Sequence, residues 1–322
     1  MTDKTLVIGD IGGTNARFAL ASPDEPGFHH PLTLQCADYS SADDAIRHYL
    51  DSQSAATPDV ICLAVAGPVV DDMVRVTNNH WTLKAADIAE DFGIGQVRLL
   101  NDFEAIAYSI PHLKQDDVEP IGLPEAKPLS LDFKVAILGP GTGLGVAGLY
   151  RRGQMLVPIV GEGGHVGFSP KSQVQVEIME ALRSKFDRVT VERLVSGAGI
   201  ENIYWALTLI HGEQRTQLTA QEVFANADDD PRANETTHMF FEVLGQVAGD
   251  LALTIGAEDG VYLAGGIAKR YPDMLQQSGF RNAFDNKGRH RAYMERIPTL
   301  LIANGEPGLL GAAHCALEFS ST

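Results

Sequence analysis

The chain is poor in cysteine. It has three in 322 residues, Cys36, Cys62 and Cys315, far apart and without a C-x-x-C pair. That spacing excludes a disulfide framework, and an odd count without a secretory leader fits a reducing compartment. Basic residues are also scarce. Twenty-five Lys and Arg stand against 42 Asp and Glu, a formal charge of −17. Nucleic acid and anionic membrane are therefore disfavoured as partners, because both need a positive face. No apolar run approaches the ~18 residues of a membrane-spanning helix. The first twenty residues lack a basic segment followed by an apolar one, so neither a span nor a leader is expected and the chain reads as cytoplasmic. There is no Gly-Lys dipeptide, which rules out a Walker-type loop, and neither H-E-x-x-H nor G-x-S-x-G occurs.

What is present is an ordinary globular composition, 44% hydrophobic and 21% charged, over a length that favours two domains. "KTLVIG" (4–9) is a short apolar run ended by glycines, and "ARFALAS" continues beyond the turn with strand character. "DDAIRHYLDS" (43–52) has helical spacing, "PDVICLAVAGPV" is a buried-type strand, and "VRLLND" (97–102) is another. "FEAIAYSI" follows as a helix stopped by Pro111. Strands alternating with helices predict an α/β domain over roughly 1–110. The Pro-, Asp- and Glu-rich stretch 111–130 reads as a connection with little regular structure. "FKVAILGPGTGLGVAGLY" (133–150) then repeats the opening pattern of apolar run, glycine turn and apolar run. Two such halves predict a cleft between related domains. Helices are expected near 173–186, 198–210, 219–226 and 232–257. Strands follow in "GVYLAGGI" (260–267) and "PTLLIA" (298–303), then a terminal helix over 307–319 with Pro in its first turn.

The two glycine turns, "GDIGGTN" (9–15) and "GPGTGLG" (139–145), do not fit G-x-G-x-x-G and join strands instead of opening helices. Glycines allow successive N–H groups to converge on an anion. Thr14, Asn15 and Thr142 add side-chain donors. Asp10 beside phosphates makes sense with a metal between, which points to Mg²⁺ and a polyphosphate. The competing reading is that both are plain hairpins with Asp10 as a turn residue. Asp102, between a strand and a helix, suits an N-cap or, at a strand end, a base that takes a proton. Glu162 and His165 in "GEGGHVGF" are spaced i, i+3, but the glycines between them predict a loop that presents both to a polyol, or a surface loop with a satisfied histidine. From its spacing alone, Glu192 in "VTVERLVSGAG" reads as a charged helix residue.

Taken together, "GDIGGTNARF", "AGPV", "TNNHW", "LLNDFEAIA", "GPGTGLG", "GEGGHVGF", "ERLVSGAG" and "LAGGI" resemble the bacterial glucokinase family, ATP-dependent kinases of the hexokinase–actin–Hsp70 superfamily, in order from Leu6 to about Leu317. The resemblance implies a two-domain actin-like (ribonuclease H-like) α/β fold with an inter-domain cleft. The small domain would hold 1–110 plus about 301–322, and the large one 111–300. It implies Asp102 as the catalytic base and Asn101, Asp102, Glu162, His165 and Glu192 as ligands of glucose. ATP would be held by Gly9, Asp10, Ile11, Gly12, Gly13, Thr14 and Asn15, by Gly141, Thr142 and Gly143, and by Gly265 and Gly266. Asp10 would hold Mg²⁺ through water. A homodimer is also implied. The loop departs from the expected pattern at Pro140, which has no N–H, so its donors are expected at 141–143. "HVGFSPKSQVQVEIME" lacks cysteine, so no structural zinc is expected. The implied reaction is phosphoryl transfer from ATP to the glucose 6-hydroxyl. The rival readings are a kinase for another hexose, such as mannose or an amino sugar, a non-catalytic sugar-responsive regulator, and a nucleotide switch without a sugar. The regulator is disfavoured because the first strand leaves no room for a preceding helix-turn-helix.

Overall fold

The opening apolar run is continuous instead of alternating because it is covered on both faces. In the computed structural model, which describes residues 4–55, 57–303 and 305–320, it forms β1 (Leu6–Ile11). The expected domain spans also include residues 1–3, 56, 304, 321 and 322, which lie outside the described residues. Val7, Ile11, Phe18 and Leu63 pack with Ile46 and Tyr49 in one cluster. Leu6, Ile8, Cys62 and Ala64 pack with Leu309, Ala312 and Ala316 in another.

The chain divides into two compact units, Met1–Lys114 with Gly305–Thr322, and Gln115–Asn304. The first contains β2 (Asn15–Ser22), β3 (Glu25–Gln35), α1 (Ala42–Gln53), β4 (Val60–Val65), the ribbon β5 (Met73–Arg75) and β6 (Thr82–Lys84), α2 (Ala85–Phe92), β7 (Gln96–Asn101) and α3 (Asp102–Ser109). Its sheet order is β3-β2-β1-β4-β7. β1–β2 and β2–β3 are antiparallel, and β1–β4 and β4–β7 are parallel.

The second unit contains β8 (Val118–Pro120), β9 (Asp132–Pro140), β10 (Leu144–Arg152), β11 (Met155–Gly161), α4 (Gln173–Arg183), α5 (Gly197–Ile210), α6 (Ala220–Ala225) and the long α7 (Pro231–Ile255). β12 (Gly260–Leu263), α8 (Gly266–Arg270), α9 (Pro272–Gln277), α10 (Phe280–Asp285), α11 (Arg291–Met294) and β13 (Thr299–Ile302) complete it. Its sheet order is β11-β10-β9-β12-β13-β8. The first five strands repeat the order and directions of the first sheet. The weak repeat in the sequence is thus a duplicated topology, with a glycine hairpin at the same place in each sheet. α12 (Pro307–Ser320) returns to the first unit, where Gly311 lets it approach the Ala105 carbonyl of α3.

Two expectations need correction. The 111–130 connection contains β8, which extends the second sheet beside β13. β3 and β11 are strands beyond those expected from the sequence. β11 is largely exposed and contains Pro158, so it carries no clean alternation.

Candidate active site

In the first unit three parallel strands end in register: Ile11 is level with Val65, and Val65 with Asn101. Ligand sites of open α/β sheets gather at such carboxyl ends. The expected N-cap at Asp102 is off by one residue. Asp102 is the first residue of α3, and the cap is Asn101, whose Oδ1 accepts from the N–H groups of Phe103 (2.9 Å) and Glu104 (3.4 Å). The extended backbone at Asn101 (φ −63°, ψ 148°) suits the cap position. Asn101 Nδ2 donates to Gly67 O at 3.0 Å. Gly67 has φ +144°, and a Cβ there would stand 3.0 Å from Arg75 O, so the glycine of "AGPV" is required by backbone and space alike. One Asp102 oxygen accepts from its neighbour's amide, Phe103 N–H, at 3.0 Å.

Asp10 lies inside β1 and not in the turn, opposite Arg17 on β2. Its half-buried carboxylate sits under the first turn of α12, where a Cβ on Gly308 would come within 2.8 Å of Oδ2. Arg17 pairs with Glu306 at 3.6 Å. Burial pushes the Asp10 carboxyl up to about 6; the Arg17 guanidinium opposes the shift and Glu306 adds to it. The turn proper is Gly12-Gly13-Thr14, closed by Gly12 N–H to Asn15 O (2.9 Å). Asn79 Nδ2 (3.4 Å) and the Cys36 thiol (3.7 Å) hold the Gly12 carbonyl, which gives "TNNHW" a role that the sequence did not disclose. Gln35 Nε2 donates to Asn15 Oδ1 at 2.6 Å.

The glycines of this stretch differ in what they are for. At Gly9 a Cβ would meet Leu63 (2.8 Å) and Phe18 (3.0 Å), and at Gly13 the Thr77 carbonyl (2.9 Å), so packing alone demands both. Ile11 has a fully buried side chain and can offer a ligand only its backbone. At Gly12 the nearest atom is 3.6 Å away, so the protein itself leaves room there.

In the second unit the turn begins after Pro140, the buried last residue of β9. Gly141 N–H donates to Gly143 O at 2.8 Å, so the expected donor set 141–143 contracts to the amides of Thr142 and Gly143 plus the Thr142 hydroxyl. Gly265, at φ +89°, closes on this turn: a Cβ would stand 2.6 Å from Pro140 O. Gly141 and Gly266 have nothing within 4 Å of an added Cβ and no positive φ. Glu162 and His165 lie in the loop after β11, at a single 3-10 turn (Gly163–His165), with Oε2 and Nε2 3.9 Å apart and both side chains exposed. Glu192 lies on another 3-10 turn, Val191–Arg193, and not on a regular helix. Its Oε2 accepts from Leu144 N–H at 2.9 Å. His165 and Glu192 line one cavity of about 470 Å³ together with Arg188 and Thr190. Glu162, His165 and Glu192 are thus assembled beside the second glycine turn.

The duplicated five-stranded sheets with paired glycine hairpins define an actin-like ATPase fold. Comparison with known proteins narrows this further. A family model described as Glucokinase matches residues 7–319. The glucokinase of Chromohalobacter salexigens is 43% identical over 312 residues, 97% of each chain. That of Hahella chejuensis is 40% identical, over 96% of this chain and 95% of the other. The crystal structure of a glucokinase from an Antarctic psychrotroph superposes with a TM-score of 0.88 at 33% identity, covering 98% of this chain and 99% of that one. The chain belongs to the glucokinase family.

Proposed function

We propose that this protein transfers the γ-phosphoryl group of MgATP to the 6-hydroxyl of glucose, giving glucose 6-phosphate and ADP. Family membership supports the substrate pair. The observation that carries the site is the convergence of Glu162, His165 and Glu192 on the start of β10, directly after the second glycine turn.

Phosphoryl transfer is chiefly positioning and charge stabilisation. Asp102, whose helix is already capped by Asn101, accepts the proton of the 6-hydroxyl as that oxygen attacks. Asn101 holds the junction through Gly67 and offers its second amide hydrogen to the sugar. Glu162, His165 and Glu192 take the other hydroxyls. A sugar lacking one of these would leave a group unpaired, at a cost of about 1–3 kcal/mol. The phosphates fit the open backbone at Gly12 and Gly141, and the adenosine that at Gly266, where an added side chain would fill the space, with Thr14, Asn15 and Thr142 as further donors and Gly265 fixing the second turn. Among the described residues no group of three His, Cys, Asp or Glu could cage a metal. A single carboxylate, Asp10, one residue before the end of β1, suits Mg²⁺, which is commonly held by one or two carboxylates, waters and substrate phosphates. When bound, Mg²⁺ neutralises charge developing on the phosphates.

Among the described residues no helix is long and apolar enough to cross a membrane; we read the enzyme as cytoplasmic and, as the family resemblance implies, homodimeric. The decisive assay couples ADP release to a panel of hexoses at fixed MgATP. Glucose is expected to give the highest kcat/KM, and a higher value for mannose or an amino sugar would overturn the assignment.

The glycine turn has its own test. Gly12→Val is expected to leave the fold intact, because only Asn15 O lies near, at 3.6 Å. It should weaken MgATP binding at least ~10-fold, about 1.4 kcal/mol, by crowding the phosphates. Wild-type affinity measured by calorimetry would remove Gly12 from the nucleotide site. Gly13→Val could not make this distinction, because the Thr77 carbonyl already obstructs it.

A further inference from the structure

We propose that Glu192 is a positioning residue for the nucleotide loop as well as a ligand for the sugar, so that one carboxylate couples the two substrates. The proposal rests on the glucose reading above and concerns residues of the second unit only.

Glycine at position 143 leaves room for the Glu192 carboxylate, which a side chain there would push aside. A Cβ there would stand 2.6 Å from Glu192 Oε2 and 3.3 Å from Cδ, and the backbone has no positive φ that would otherwise demand glycine. The same oxygen accepts from Leu144 N–H at 2.9 Å. At the other end of the turn, Gly141 O accepts from Gly197 N–H at 2.9 Å. The segment 192–197 therefore clips the nucleotide turn at both ends. That segment is itself rigid. Ser196 Oγ donates to Glu192 O (2.8 Å) and accepts from Gly199 N–H (3.0 Å) at the start of α5.

The sugar-facing turn rests on the same strand. A Cβ on Gly164 would stand 2.5 Å from Leu144 O, and one on Gly163 2.9 Å from Val146. Val191 N–H donates to Val166 O at 2.9 Å, joining the Glu192 turn to the segment that leaves His165. Leu144 is thus held through its N–H by Glu192 and pressed through its carbonyl by the Glu162–His165 turn. A sugar that fixes these side chains fixes the amide that follows Gly143. A phosphate that orders Thr142 and Gly143 orders the partner of Glu192. Binding linkage requires the effect to be reciprocal.

The test is crossed, with each variant assayed on the opposite substrate and the other absent. Gly143→Ala should displace the Glu192 carboxylate and weaken glucose binding at least ~5-fold in calorimetry without nucleotide. Gly141→Ala, whose Cβ meets nothing within 4 Å, should leave that glucose affinity within about twofold and serves as the control. Conversely, Glu192→Ala should weaken binding of a non-hydrolysable MgATP analogue at least ~5-fold without sugar, whereas a carboxylate serving the sugar alone would leave it unchanged. Should Gly143→Ala fail to fold, the Glu192→Ala measurement decides by itself. A folded Gly143→Ala with wild-type glucose affinity, or a Glu192→Ala with wild-type analogue affinity, overturns the coupling. Wild-type protein that binds no glucose would instead defeat the underlying reading.

Discussion

Asp102→Asn is expected to slow glucose phosphorylation at least ~100-fold while the protein stays folded and still binds glucose and MgATP, because a lost general base costs on the order of 10²–10⁴ in rate. The structure makes this substitution a cleaner test than the sequence did. Asn101 caps α3 through Phe103 and Glu104, so the helix start does not depend on residue 102. The bond that the Asp102 side chain accepts from Phe103 N–H at 3.0 Å can be kept by the amide oxygen of asparagine. The melting temperature should therefore stay within about 2 °C of wild type, since a lost cap would cost ~1 kcal/mol and shift it by ~2–4 °C. Steady-state kinetics should show the loss in kcat, with KM for both substrates little changed. Turnover within a few-fold of wild type would show that the carboxylate is not the base.

Most of the fold was legible because its elements announce themselves locally. β1, β4 and β9 are short apolar runs ended by glycine, and α7 carries Pro231 at its start and Gly256 in the left-handed region at its end. The duplicated hairpin was visible as a repeated pattern. What stayed hidden depends on distant neighbours. Asn101 and Asp102 are both good cap residues, and only the backbone decides which one caps. The glycines of the two turns look alike in sequence, yet Gly9 is fixed by Phe18 and Leu63, Gly143 by Glu192, and Gly12 and Gly141 by nothing in the protein. The Glu192–Leu144 bond spans 48 residues, and spacing in the chain cannot reveal it. Cys62 and Cys315 are far apart in sequence, yet β4 and α12 bring them into one buried cluster, where the neighbouring thiol and burial push the Cys62 thiol well up.

Asp10→Asn should move activity and stability in opposite directions. Loss of the carboxylate assigned to Mg²⁺ and the phosphates should lower kcat/KM for MgATP roughly 10²–10³-fold, the range for losing one preorganised stabiliser of transition-state charge. Stability should rise. Burial lifts this carboxyl from 3.8 to about 6 in the folded protein, so the native state holds the proton more strongly than the unfolded chain does. Wild-type stability attributable to this group therefore falls as pH climbs from about 4 to about 6, and the penalty is fully present above that. A neutral asparagine of nearly the same shape escapes it. The rise from 3.8 to about 6 corresponds to about 3 kcal/mol at most, and residual exposure and the nearby Arg17 reduce this to ~1–2 kcal/mol. The melting temperature of Asp10→Asn should exceed that of wild type at pH 7.5 by a few degrees, with the gap closing as pH falls through 6 towards 4. Calorimetric scans of both proteins across pH 4–8 measure it. Unfolding cannot produce lost activity together with gained stability, so this pattern would place Asp10 in the phosphate site. An Asp10→Asn protein less stable than wild type at pH 7.5 would mean that the carboxylate holds the start of α12 or the Arg17–Glu306 pair in place, and the assignment to Mg²⁺ would fall.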